Sequence, residues 1–127
     1  MNIIRATLAA AATLVFAQGA TAADEHAALQ ESQDRAAIEA LMWKYVRALD
    51  TLDADAYAAV FTPDGSFSSG QSSEKGAAAL KKMITGLKDT RAKREAAGGP
   101  PSPAMYHVIY NHTIEFIDRD LARYDAY

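Results

Sequence analysis

Apolar residues recur at three- and four-residue steps in two stretches of the chain, which predicts amphipathic helices over about residues 23–52 and 77–88. Between them, a short helix is predicted over 54–61, with Asp53 as its N-cap. The charged run 88–97 is interpreted as a solvated continuation of the third helix.

Strand signals are concentrated in the second half. A turn at 62–65 precedes a predicted short strand, Ser66–Ser69, and a loop is predicted over 70–76. The segment 104–118 is rich in Tyr, Val, Ile, Thr and Phe, which predicts the longest strand of the chain. Residues 121–127 then begin the second strand of a hairpin.

Alternation along the predicted long strand gives its two faces different characters. His107 and Asn111 share one face, with Ile109 between them, and this mixture is typical of a cavity wall. The other face is apolar enough to be buried, and we expect it to pair with a second copy in a homodimer. Its members are Tyr106, Val108, Tyr110, His112, Ile114 and Phe116.

The N-terminus has the pattern of an export signal. Arg5 supplies a positive charge, 8–17 is an apolar run too short to span a bilayer, and Ala20–Ala22 is a small-x-small cleavage site. We therefore predict a signal peptide over 1–22 and one periplasmic or secreted domain over 23–127. The less favoured alternative is that residues 1–22 form an N-terminal helix that packs in the core. No other stretch is long and apolar enough to cross a membrane.

Composition excludes several classes of function. The chain has no cysteine, so thiolate metal sites and cysteine nucleophiles are excluded. Its formal net charge is −3 and it has no basic block, so nucleic acid is not expected as a partner.

The order of these elements resembles the SnoaL-like branch of the nuclear transport factor 2-like superfamily, over roughly residues 30–127. The matching pieces are DRAAIEALMWKYVRALDTLDADAYAAVF, FTPDGSF, the helix led by Gly76, and YHVIYNHTIEF. The resemblance implies an α+β fold, in which a cone-shaped curved antiparallel sheet carries three N-terminal helices on its concave face. Relatives continue for further strands after the hairpin, so we expect this chain to be truncated at its C-terminus.

The resemblance also implies a site. Several members pair an Asp at the end of the first helix with a His on the long strand, and these positions are similar to Asp50 and His107. Dehydratase and dehydrochlorinase members carry Asn four positions after the His, here Asn111, and bile-acid dehydratase carries Tyr five positions before the Asp, here Tyr45. The predicted catalytic residues are therefore His107, Asp50 and Tyr45. The predicted substrate-binding residues are Asn111, Trp43, Tyr57 and Phe67.

Such a site would suit a cofactor-free, metal-free lyase or isomerase of the dehydratase type, acting on a small hydrophobic cyclic molecule. A histidine can take a proton near neutral pH, while a carboxylate on its other ring nitrogen fixes the tautomer. Plainer interpretations remain open: His107 as a structural histidine, Asp50 as a helix end, and Tyr45 as a core residue. The alternative function is a non-catalytic protein of the same fold that binds a ligand or pairs with another subunit.

Overall fold

The computed structural model describes residues 3–70 and 72–127, with side chains from residue 21 onward. The helices are α1 (Ile3–Asp50), α2 (Ala54–Ala58) and α3 (Ala77–Ala96), and the strands are β1 (Ser66–Ser69), β2 (Ser72–Lys75), β3 (Thr113–Phe116) and β4 (Ala122–Asp125). The predicted signal peptide lies outside the described residues at positions 1 and 2, and outside the described side chains up to residue 20. No described helix is long and apolar enough to cross a membrane.

Residue contacts divide the chain into two units, Met1–Ala37 and Ile38–Tyr127. In the first unit, hydrogen bonds between residues four positions apart support the exposed surface of α1. The Arg35 guanidinium donates to Glu31 Oε1 at 2.8 Å, and the Gln30 amide donates to Asp34 Oδ1 at 2.9 Å. Pairs at this spacing contribute only about 0.2–0.5 kcal/mol each to an isolated helix.

The core of the second unit forms where α2 packs against α3. Leu80 and Ile84 of α3 are 0% and 1% exposed, and Tyr57 of α2 is fully buried. Ala48, Leu52 and Ala58 complete this buried cluster. The apolar stripe predicted for α3 comprised Leu80, Met83, Ile84 and Leu87. It is confirmed at Leu80 and Ile84, whereas Met83 is half-buried and the prediction is wrong at Leu87, which is 39% exposed.

The end of α1 is set by a left-handed residue followed by a cap. Leu52 has a φ of 52°, its N–H donates to Leu49 O at 3.2 Å, and the Asp53 N–H donates to Ala48 O at 2.9 Å. These bonds form a Schellman motif, which ends the helix. The Asp53 side chain then accepts the Ala56 N–H at 3.0 Å, as predicted for the N-cap of α2.

Strands β1 and β2 form an antiparallel hairpin in a region that was expected to contain one strand and a loop. The loop prediction over 70–76 is wrong at β2, because this strand has no apolar alternation to reveal it. It is held by its backbone ladder and by paired hydroxyls, Ser68 to Ser73 at 3.0 Å and Ser69 to Ser72 at 3.1 Å.

The predicted long strand over 104–118 is shorter in the structure, where β3 spans Thr113–Phe116. Tyr110 and Tyr127 exchange two backbone hydrogen bonds, at 3.1 and 3.2 Å, whereas Thr113 pairs with Asp125. Two residues, Asn111 and His112, thus separate Tyr110 from Thr113, whereas only Ala126 separates Asp125 from Tyr127 on the partner strand. The result is a β-bulge at 111–112, where Asn111 has a φ of 52°.

This bulge reverses the side-chain alternation, so the prediction of one continuous apolar face is wrong. Ile114 and Phe116 are half-buried after the bulge, but Tyr106 and Val108 before it are 81% and 72% exposed. The mixture of helices and antiparallel sheets agrees with the α+β class. The described strands form two sheets of two strands each, and the cone shape stays a prediction.

Candidate active site

Asp50 is the last residue of α1 and lies within the Schellman motif that ends the helix. The negative end of the helix dipole disfavours a carboxylate there, so this position needs a compensating donor. His107 supplies it from the chain segment that precedes the bulge. Its ring Nδ1 lies 2.6 Å from Asp50 Oδ1, and its backbone N–H donates to Oδ1 and Oδ2 at 3.1 and 3.2 Å.

The charge state of Asp50 determines how the His107 ring is protonated. The hydrogen bond from that ring is the main cause that lowers the pKa of Asp50, the backbone N–H and charge of His107 add to it, and desolvation opposes them. The carboxylate is therefore ionised near neutral pH and can only accept hydrogen bonds. Nδ1 must carry the proton, which leaves the Nε2 lone pair available in the neutral ring. No described residue makes a hydrogen bond to Nε2.

The pair opens into a surface cleft of about 390 Å³. Trp43, Val46, Arg47 and Asp50 line it from α1, and Tyr106 and His107 line it from the facing segment. The four α1 residues follow an i, i+3, i+4, i+7 pattern, which places them on one helical face. The His107 side chain is 40% exposed and that of Asp50 is 21% exposed, so a small molecule can reach the ring.

Two further predicted site residues, Tyr45 and Phe67, line a different cleft. It is apolar, has a volume of about 230 Å³, and is completed by Leu41, Met42, Val60 and Phe61. An ideal helix places Tyr45 and Asp50 about 140° apart around α1, which explains the separation. The structure thus brings Trp43 to the histidine–aspartate pair but does not place Tyr45 or Phe67 in that cleft.

Tyr57 lies in the core beside Tyr45, with ring centroids 5.4 Å apart. Its hydroxyl is buried and makes no hydrogen bond to any described residue. Burial, and secondly the neighbouring Tyr45, raise the pKa of Tyr57. The side chain is 0% exposed, so a ligand would reach it only if the core opened.

Asn111 is exposed at the bulge and is not among the residues that line the cleft with His107. The expectation that it lies on the same wall depended on an uninterrupted strand, and its left-handed backbone interrupts that strand. Conversely, sequence reasoning missed Arg47 and Tyr106. The spacing of Arg47 from Trp43 and Asp50 was the available signal, since all three fall on one helical face.

A second histidine contacts α1 nearer to its middle. His112 Nε2 lies 3.2 Å from Glu39 Oε1, and the ring stacks on Tyr124 with centroids 5.4 Å apart and an interplanar angle of 8°. Burial, with the charge of Glu39, raises the pKa of Tyr124. Glu39 and Asp50 are about 16 Å apart along a helix, and His112 and His107 are about 16 Å apart along an extended chain. Because these two lengths match, both histidine–carboxylate pairs can form together, and they hold the segment 107–112 antiparallel to α1.

Among the side chains that the structure describes, no group of three or more His, Cys, Asp or Glu residues is placed to hold a metal ion. The sequence-family model of the SnoaL-like domain matches residues 30–127, a range that contains every residue of both clefts. Comparisons with curated proteins and with solved structures gave no significant match.

Proposed function

Because this chain belongs to the SnoaL-like domain family of the nuclear transport factor 2-like superfamily, we propose that it is a cofactor-independent lyase or isomerase. Family membership supports a small-molecule-binding protein, and SnoaL-like domains generally bind small hydrophobic ligands. The observation that carries the catalytic step is the 2.6 Å contact between His107 Nδ1 and Asp50 in an open cleft.

In this proposal His107 is the general base. Its Nε2 takes a proton from a carbon next to the one that bears a hydroxyl group, and the C–H electron pair becomes the new C=C bond. The C–O bond breaks, and the departing hydroxide takes the proton from Nε2 and leaves as water. Asp50 stabilises the imidazolium that exists between these two transfers and keeps the ring in the productive tautomer.

The walls of the cleft favour a flat or cyclic substrate. Trp43 is 53% exposed and Tyr106 is 81% exposed, although both side chains are large and aromatic. Aromatic rings offer extended apolar faces to a ligand at a small cost in conformational entropy. Tyr45 takes no part in this proton transfer, because its side chain lines the other cleft.

The proposed reaction can be tested without knowledge of the natural substrate. A panel of cyclic β-hydroxy ketones would be incubated with the protein, and water loss would be followed by the ultraviolet absorbance of the conjugated enone. We expect turnover of at least one member, reduced in His107→Ala by about 10²–10⁴-fold, the usual contribution of a general base. His112→Ala is the matched control, because His112 also pairs with a carboxylate but lies outside the cleft. Equal loss in both variants would contradict the proposal.

A second candidate is a non-catalytic protein of the same fold that pairs with another subunit. The exposure of Tyr106, Val108 and Tyr110, at 81%, 72% and 56%, favours it. Light scattering on the purified protein tests this candidate, which predicts a dimer that Val108→Glu converts to a monomer. A wild-type protein that is monomeric at the highest soluble concentration would exclude it.

The proposed site of action is the periplasm or the extracellular medium. This proposal rests on the basic residue, short apolar run and small-x-small site within residues 1–22. Intact-mass measurement of exported protein tests it, with cleavage after Ala22 as the expected result. A mass that still includes residues 1–22 would contradict it.

A further inference from the structure

Arg47 places a positive charge at the cleft, and its side chain has no partner among the residues that the structure describes. It is exposed, and its backbone carbonyl accepts the Thr51 hydroxyl at 2.9 Å. Its guanidinium makes no hydrogen bond or ion pair with any described residue. By contrast, Arg123 pairs with Glu115. The Arg47 guanidinium is therefore free to bind a group that comes from solution.

The position of Arg47 on α1 relates this charge to the reacting ring. It lies four residues after Trp43 and three before Asp50, so the rise along the helix is about 6 Å and about 4.5 Å respectively. The three residues fall within about 60° around the helix axis. A ligand that contacts Trp43 and presents a carbon to His107 would thus have Arg47 within about one helical turn.

We propose that the ligand of this cleft is a flat or cyclic hydrophobic molecule that carries one carboxylate, and that Arg47 binds this carboxylate. The inference rests on the proposed function, in which the ligand reacts at His107. A guanidinium matches a carboxylate with two parallel N–H donors, which fixes the orientation of the ligand as well as its charge. The carboxylate would lie about one helical turn from the carbon that loses its proton.

The local charges favour a single negative charge on the ligand. Asp50 already places one carboxylate in the cleft, and Arg47 is the cation that faces it alongside the titratable His107. With a neutral His107, the charges of Arg47 and Asp50 sum to zero, so a ligand with one carboxylate leaves the cleft at −1, whereas a doubly charged phosphate would leave it at −2 and add more repulsion beside Asp50. The chain as a whole has a formal net charge of −3, so the attraction must come from this local residue.

Trp43 provides a specific reporter for this cleft. It is the single tryptophan of the chain. Arg47 also borders a neighbouring cleft with Lys44 and Thr51, but Trp43 is not among the residues that line that second site. Quenching of tryptophan fluorescence by a heavy-atom ligand therefore distinguishes binding beside His107 from binding on the other flank of Arg47.

The test uses two probes of the same shape, 4-iodophenylacetate and 4-iodophenylacetamide, titrated against the full processed protein. We expect the carboxylate to bind wild type about fivefold to tenfold more tightly than the amide. Arg47→Met should bring the two dissociation constants within about twofold, chiefly by weakening binding of the carboxylate, because the ion pair with the guanidinium is lost. Arg119→Met is the matched control, since it removes an exposed arginine that does not line the cleft, and it should keep the wild-type preference.

A wild type without preference for the carboxylate would overturn the inference, as would a preference that survives in Arg47→Met. In both cases binding of the amide would show that the cleft itself takes cyclic ligands, and the proposed function would stand. Absence of quenching by either probe would overturn both ideas. The elimination assay compares His107→Ala with His112→Ala in proteins that all keep Arg47, so its outcome is separate from that of the binding test.

Discussion

The Asp50 carboxylate accepts hydrogen bonds from both the ring and the backbone of His107, at 2.6 Å from Nδ1 and at 3.1 Å from the N–H. One side chain at the end of α1 thus orients the proposed base and anchors the segment that carries it. In the His107→Ala variant, residue 107 would keep its backbone N–H and therefore part of the anchor. Loss of activity in this variant can for this reason be separated from loss of the fold.

Asp50→Asn should make stability less sensitive to acid. The pKa of Asp50 is lowered in the folded state, so its stabilising contribution is present above the pKa of an unfolded Asp, about 3.9. That contribution is lost as the pH falls through this value and the lower folded one. Urea unfolding at a series of pH values should show a difference between wild type and Asp50→Asn that is constant near neutrality and shrinks below about pH 4. A difference that does not change with pH would show that the carboxylate is not stabilised by His107.

Leu80→Ala should destabilise the second unit by about 2–5 kcal/mol, because it removes a fully buried side chain and leaves a cavity. Leu87→Ala on the same helix is the control, since Leu87 is 39% exposed and its loss should cost clearly less. His107→Ala should also cost less than Leu80→Ala. Urea unfolding of the three variants gives the order, and a larger effect for Leu87→Ala would contradict the assigned core.

Tyr57→Phe should leave stability unchanged or raise it slightly. The Tyr57 hydroxyl is buried without a hydrogen-bond partner among the described residues, so its removal costs no bond and ends an unfavourable burial of a polar group. Thermal unfolding compares this variant with Tyr57→Leu, which also removes the ring contacts to Tyr45 and Phe61. A clear loss of stability in Tyr57→Phe would mean that the hydroxyl has a partner after all.

The bulge makes Asn111 sensitive to backbone conformation. Its φ of 52° is available to glycine at no steric cost but disfavours a β-branched side chain. Asn111→Gly should therefore be tolerated, whereas Asn111→Val should destabilise the protein by about 1–2 kcal/mol. Amide exchange at Tyr110 and Tyr127, which bond to each other across the bulge, should speed up in Asn111→Val alone. Equal exchange in the two variants would contradict the bulge.

Helical periodicity in the sequence was sufficient to predict α3 and the burial of Leu80 and Ile84, because these two residues face the core at a spacing that any packed helix would show. It was not sufficient for Leu87, which continues the stripe but lies beyond the packed part of the helix and is exposed. The Asp53 cap was predictable for a similar local reason. The proximity of Asp50 to His107 was indicated by resemblance to a family rather than by periodicity. No local pattern connects two residues this far apart in the chain.

The strands were harder to predict because their signals are weak or misleading. The four residues of β2 contain no apolar alternation, so nothing distinguishes them from a loop. The apolar pattern around Tyr110 predicts one long strand. The bulge that interrupts it depends on the left-handed backbone of Asn111, and no glycine in this segment indicates such a conformation because asparagine can adopt it as well. The segment 104–110 before the bulge is not a regular strand, so Tyr106 can line the same cleft as its neighbour His107 instead of facing away from it.

The most direct test of His107 as a base is the exchange of carbon-bound protons with solvent. The uncharged cyclic ketone 1-tetralone would be incubated with the protein in deuterated water, and loss of the proton signal next to the carbonyl would be followed by NMR. We expect exchange that is about 10²-fold faster with wild type than with His107→Ala, and unaffected by His112→Ala. Exchange at the same rate with wild type and His107→Ala would contradict the role of His107 as the base.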